Sequence, residues 1–186
     1  MNPSTGDLLG AVEFVPAEEV IILPNNPIII AVAGQVDAQT DKTVRVVATR
    51  TVMEGFASLL DYDPEASVED NLVRMDAAAG TVTSGEVTVA VRDAASDVGP
   101  IAEGDHLGLS DGRVEIIAGS LLAATTGLLG RLLEGEHELV TLIAGADADD
   151  GSTNEVVAWL RADHPKVEIE VHQGGQPLYP YYLGIE

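Results

Sequence analysis

The 186-residue chain contains no cysteine. That excludes disulfides, thiolate zinc sites and a cysteine nucleophile. Aromatic residues are scarce as well, with two Phe, one Trp and four Tyr. The 46% hydrophobic content therefore packs mainly through Val, Ile, Leu and Ala. Long apolar runs are missing: the longest, Ile28–Ala33, falls far short of the roughly 20 residues that a membrane-spanning helix needs. No basic segment leading into an apolar stretch opens the sequence, so no signal peptide is recognised. A cytoplasmic protein without membrane insertion is expected.

Positive charge is the scarcest resource of all. Nine Lys and Arg face 31 Asp and Glu, for a net charge of −22. A polyanion of this kind lacks the cations that neutralise phosphates, which excludes nucleic acid as a partner. It steers basic protein surfaces toward itself instead. Acidity of this degree also serves solubility alone.

Catalytic signatures are absent from the sequence. There is no phosphate-binding loop with its lysine, no GxGxxG and no GxSxG elbow. His106, His137, His164 and His172 do not share the helical spacing of a metal pair. The run "GADADDGS", with Asp147, Asp149 and Asp150, does not follow the alternation of a calcium loop and reads as a polar turn after a strand. No cofactor, metal ligand or catalytic residue is assigned.

What is present is an alternation of helix and strand. Ser4 or Thr5 caps a helix carrying Leu8, Leu9, Val12 and Val15 on one face, which Pro16 ends. "EEVIILP" reads as a parallel strand. Asn25 or Asn26 then caps an Ile-rich helix with Pro27 in its first turn. "KTVRVVATR" is the next strand, and "TVMEGFASLL" a helix with Val52, Phe56 and Leu59 on one face. This α-β-α-β-α order predicts a parallel sheet flanked by helices over residues 1–62. The acidic, proline-containing "DYDPEAS" marks a lobe boundary there.

Residues 63–186 predict a mixed α+β lobe. Ser67 and Asp70 form a capping box for a helix ended by Gly80. "GEVTVAVRDA" alternates Val87, Val89 and Val91 against polar residues, the period of a half-exposed strand. Asp111-Gly112 is a hairpin signal. A helix over "GSLLAATTGLLGRLLEG", a strand over "HELVTLIAGAD", a helix capped by Ser152 or Thr153, a strand with Val167, Ile169 and Val171, and a last strand "YYLGI" complete the lobe. Near the C-terminus, "VHQGGQPLYPYYLGIE" gathers Gly174, Gly175, Gln176 and Tyr179. It reads as the turn that folds the final strand into place, and as a contact surface for a ligand or partner. "LPNNP", with Asn25 and Asn26, lies at the C-terminal end of a strand, where open α/β sheets place ligands; helix capping accounts for the same residues.

Three stretches, "MNPSTGDLLGAVEFVPAEEVIILPNN", "VMEGFASLLDYDPEASVEDNLVRM" and "HQGGQPLYPYYLGIE", resemble the C-terminal region of the dihydroxyacetone-kinase-like subunit of bacterial fatty acid kinase. The resemblance runs from Met1 to Glu186. It implies a DegV-like two-lobed α/β fold, a parallel α/β lobe followed by a mixed α+β lobe, with one further strand-helix unit upstream of "MNPST". It also implies a non-catalytic docking role toward a DegV-type fatty-acid-binding protein, whose acyl chain is phosphorylated by the separate kinase domain of the parent polypeptide, which also carries a middle domain. In DegV-type lipid binders the resemblance places a Ser where this chain has Asn25-Asn26, and a His-containing loop where it has Gly174–Pro177. A DegV-like carrier of fatty acid or another small ligand is the alternative expectation. Without the upstream strand, a sheet edge stays open, and open edges seek partners; a homodimer through that edge is expected.

Overall fold

A computed structural model describes residues 2–186. It divides into two units, Met1–Val82 and Thr83–Glu186.

The first unit is built on a short parallel pair, β1 (Glu19–Ile22) and β2 (Thr43–Val46), in register from Glu19 opposite Thr43 to Ile22 opposite Val46. Among the described residues these strands pair only with each other, so each keeps one free edge. Helix α1 (Thr5–Phe14) starts at Ser4, whose hydroxyl oxygen accepts from the Asp7 N–H while the Asp7 carboxylate accepts from the Ser4 N–H. This reciprocal cap satisfies two donors that the first turn leaves unpaired. Val12 of α1 is buried with Val36 and Val44, and Leu8, Leu9, Val20 and Ile22 pack around them. Val15, expected on the same face, lies just past the helix end and is exposed. Helix α2 (Pro27–Ala33) has Asn26 as its cap and Pro27 in its first turn, where a missing N–H costs nothing.

Helices α3 (Val52–Leu60) and α4 (Val68–Ala79) pack on one another. The expected inward face of α3 is corrected: Met53, Gly55, Ala57 and Ser58 are buried, whereas Leu59 is 60% exposed. The helix carries apolar residues on two stripes. Its small residues decide which one turns inward, because they allow the close approach made by Gly55 to Asn25 and by the Ser58 hydroxyl to the Met75 carbonyl (2.9 Å).

The boundary expected at residues 62–63 is also corrected, since the division falls between Val82 and Thr83. "DYDPEAS" is a tight helix-helix connection. Asn71 of α4, 2% exposed, accepts from the Asp63 N–H and donates to the carbonyls of Asp63, Ala66 and Ser67. Arg74 pairs with Asp63 at 3.0 Å. These bonds tie α4 to the lobe that precedes it.

The second unit is a six-stranded mixed sheet. Its strands are β3 (Thr83–Val89), β6 (His106–Ser110), β7 (Arg113–Ala118), β8 (Leu139–Ala144), β9 (Glu168–Gln173) and β10 (Tyr181–Ile185), in the order β7-β6-β3-β10-β8-β9. Only β8 and β9 are parallel, joined through helix α6 (Asp150–Asp163). Helix α5 (Leu121–Leu132) packs on β3, β6, β7 and α6. The core between sheet and helices holds Val87, Leu128, Leu129, Val140, Leu142, Val156, Leu160, Tyr181, Leu183 and Ile185, all essentially inaccessible. The final strand "YYLGI" is thus a central strand, hydrogen-bonded on both sides.

The hairpin at Asp111-Gly112 forms with both residues at positive φ, 50° and 72°, as a type I′ turn requires. A small hairpin that sequence reading did not foresee, β4 (Ala94–Ser96) and β5 (Gly99–Ile101), brings Ile101 to Ala90 and Leu107 in a second cluster. It forms because β3 ends at Val89: the Ala90 N–H turns to the Asp105 carbonyl, and Val91, expected inward, is 79% exposed. Helix α6 is capped by Asp149 rather than Ser152 or Thr153; the Asp149 carboxylate accepts the Ser152 N–H at 2.7 Å. Val167 precedes β9, and Val171 is half-exposed on this edge strand.

Candidate functional site

The residues singled out in the sequence fall in both units. In the first, Asn25 follows β1 with φ of 52°, a left-handed conformation that Asn tolerates better than most residues. Its N–H donates to the Thr49 hydroxyl oxygen (3.0 Å), and that hydroxyl donates back to Asn25 Oδ1 (2.8 Å). Thr49 is fully buried. A Cβ on Gly55 would lie 2.0 Å from Asn25 Oδ1, so the start of α3 closes over this amide. Asn26 Oδ1 accepts from the Ile28 N–H (2.9 Å) as the α2 cap. The side-chain oxygens of both residues are thereby engaged by the unit itself.

In the second unit, the segment from Gly174 to Pro180 is fastened to the end of β8. The N–H groups of Gly174 and Gly175 both donate to the Ala144 carbonyl, at 2.9 and 3.1 Å. Gly175 needs its freedom, with φ of 64°. The Gln176 side-chain amide donates to the Ile143 carbonyl (3.0 Å) and the Tyr179 carbonyl (3.1 Å). Its backbone carbonyl accepts from Ala146, and Pro180 accepts from Gly145. Leu178 adopts φ of 71°, and its carbonyl accepts from the Thr88 hydroxyl (2.7 Å).

This fastening brings Tyr179 onto Tyr182, with ring centroids 5.1 Å apart and planes inclined by 23°. Tyr182 stands directly opposite Glu86 in the β10-β3 register, on the sheet face opposite that of the buried Val87, Tyr181 and Leu183. Burial raises the Glu86 carboxyl above the ordinary glutamate value. Burial, then the Glu86 charge and Tyr179, pushes the Tyr182 phenol up to about 12. Tyr179 is raised by the same burial and the same carboxylate. A carboxylate flanked by two stacked rings can accept a cation; it offers no nucleophile activated by a neighbouring base. Sequence reading found Tyr179 but missed Glu86 and Tyr182. Their meeting depends on pairing strands from opposite ends of the unit, which no local signal announces.

Tyr181 points the other way, its hydroxyl 3.0 Å from that of the buried Thr153. A shallow groove at the start of β8 and β9 is lined by His137, Glu138, His164 and Lys166 among others. There the His164 ring lies 5.3 Å from Trp159. Among the described residues, no three His, Asp or Glu side chains converge as a metal site would require.

The family of FakA-like C-terminal domains, those of fatty acid kinase, matches residues 1–186. An uncharacterized protein of Staphylococcus epidermidis is 37% identical over the whole of this chain, and one of Staphylococcus haemolyticus is 38% identical. A Staphylococcus aureus relative is 34% identical. In each case the match covers 34% of the relative, so the chain spans about a third of the length of these proteins. Among solved structures, a DegV lipid-binding protein of Thermotoga maritima aligns over 100% of this chain and 76% of its own, with a TM-score of 0.68 at 15% identity. The Streptococcus pneumoniae fatty acid kinase B3 protein loaded with linoleic acid aligns over 99% and 76%, with a TM-score of 0.64 at 10% identity. The dihydroxyacetone kinase of C. freundii aligns over 98% and 41%, with a TM-score of 0.66 at 10% identity. At these identities the likeness is one of fold, and the fold is DegV-like.

Proposed function

Because this chain belongs to the FakA-like C-terminal family of fatty acid kinase, we propose that it is the docking domain of such a kinase. It seats a DegV-type fatty-acid-binding protein, so that the carboxylate of the bound acyl chain reaches a kinase domain elsewhere in the parent polypeptide. The chain itself performs no chemistry; the kinase and middle domains supply it. The family match over every residue carries this reading. The net charge of −22 supports it, because a polyanionic surface accelerates encounter with a basic partner. The system operates in the cytoplasm, where nucleotide for the kinase is available. The open edges of β1 and β2 provide the site of a homodimer, which sedimentation equilibrium would detect.

Competition tests the docking role. Excess isolated chain, added to the reconstituted full-length kinase with its DegV-type partner, sequesters the partner and suppresses acyl phosphate formation. An undiminished rate at a tenfold excess of chain over partner contradicts the proposal.

The DegV-like fold favours one second reading, a carrier of fatty acid or another small ligand. Asn25, Asn26, Gly174, Gly175, Gln176 and Tyr179 would then contact the ligand. Native mass spectrometry of freshly purified protein separates the two: a retained fatty acid supports the carrier, and a bare mass with no uptake on titration removes it.

A further inference from the structure

Resting on the docking reading, we propose that Glu86, Tyr179 and Tyr182 form a seat for one arginine side chain of the docked protein. A guanidinium is flat and stacks on aromatic rings while its N–H fork meets a carboxylate in two parallel bonds. The three side chains supply both elements. The rings of Tyr179 and Tyr182 are already stacked at 5.1 Å, and Glu86 is the cross-strand neighbour of Tyr182. A lysine ammonium would find the charge but not the planar fit.

Three observations point to a ligand rather than to a structural role. First, Glu86 is half-buried, yet it pairs with no cation among the described residues. A partly desolvated carboxylate without a partner is costly to the fold, and such groups concentrate at functional sites. Its raised pKa reports the same cost. Second, the seat is pre-organised. Tyr182 is fixed in a central strand, and Tyr179 is held through its carbonyl by the Gln176 amide at 3.1 Å. Little ordering entropy remains to be lost on binding. Third, the neighbouring backbone is strained toward the same spot: Leu178, 66% exposed with φ of 71°, is held by the Thr88 hydroxyl on the strand that carries Glu86. A non-glycine residue in that region marks a segment whose surroundings over-determine it. Its exposed side chain gives the seat an apolar rim.

The test has two arms. In the first, calorimetry measures the DegV-type partner against wild-type chain, Glu86→Gln, Tyr179→Ala and, as a control, Glu168→Gln on the exposed edge strand. The seat predicts at least a tenfold loss of affinity for Glu86→Gln and Tyr179→Ala, and less than a twofold loss for Glu168→Gln. Equal losses for Glu86→Gln and Glu168→Gln would leave the docking role intact and overturn the seat, because general acidity would then explain the binding. In the second arm, N-acetyl-arginine amide and N-acetyl-lysine amide are titrated against 15N-labelled chain without any partner. Larger amide shifts around Glu86 and Tyr182 for arginine than for lysine, lost in Glu86→Gln, support the seat even if the partner does not bind. Shifts spread over all acidic surfaces, and unchanged by Glu86→Gln, overturn it. The folded state of each variant is checked by its Trp159 fluorescence.

Discussion

Replacing Gly145 with alanine tests whether the C-terminal segment is locked onto the sheet. An added Cβ would lie 2.3 Å from the Tyr179 carbonyl oxygen and 2.7 Å from that of Gln176. Both are backbone atoms, so no side-chain rotation relieves the clash; the whole segment must withdraw. Withdrawal endangers the Gly145–Pro180 and Ala146–Gln176 backbone bonds, each 2.9 Å, and the two bonds of the Gln176 amide. Net values near 1 kcal/mol per hydrogen bond, with partial relaxation as in overpacked cores, place the loss at about 2–4 kcal/mol. With urea dependences of about 1–3 kcal/mol per molar, the midpoint falls by about 1–2 M. The single tryptophan, Trp159, packs against the core of the second unit, so its fluorescence follows that unit alone. Gly130→Ala is the matched control: the position is helical, exposed and free of atoms within 4 Å. It should raise the midpoint through a helix-propensity gain of about 0.5–1 kcal/mol. A Gly145→Ala midpoint equal to that of wild type would refute the locked segment.

Three further outcomes follow from the same structure. Leu128→Ala empties a fully buried position beneath Gly85 and Gly108 and should cost about 2–5 kcal/mol, read by the same fluorescence. Thr49→Val removes a hydroxyl that both accepts from and donates to Asn25; a loss of about 1–3 kcal/mol should appear as faster amide exchange at Asn25. Glu86→Gln should stabilise the fold at pH 7. The Glu86 pKa is raised in the folded state, so its contribution is fully present below the ordinary value and is lost as pH rises through the folded one. The gain, about 1 kcal/mol or less because water still reaches the group, should disappear in melting curves taken below pH 4. Persistence of the gain at low pH would remove desolvation as its cause. A variant that is more stable yet binds its partner more weakly is the expected signature of a functional carboxylate.

Much of the architecture was readable from local chemistry. Ser4, Asn26 and Ser67 cap the helices they precede, and Asp111-Gly112 turns its hairpin, because these signals act within a few residues. The choice of face on α3 was not readable. Val52, Phe56 and Leu59 satisfy helical periodicity as well as the buried Met53 and Ala57 do, and only the tertiary approach at Gly55 selects between them. The assignment of α4 was hidden for a similar reason: a proline and three acidic residues look like a hinge until Asn71 is seen binding the turn from across the helix pair. The tail was legible as a glycine-rich return, but its part in the candidate seat was not. Tyr182 acquires meaning only from Glu86, and that neighbour is set by the position of β10 between β3 and β8.

Calorimetric titration of this chain with a DegV-type fatty-acid-binding protein, at low salt and again at physiological salt, addresses the docking role most directly. The account predicts saturable one-to-one binding that weakens as salt screens the acidic surface. Absence of a binding isotherm at low salt, with both proteins folded, would contradict it.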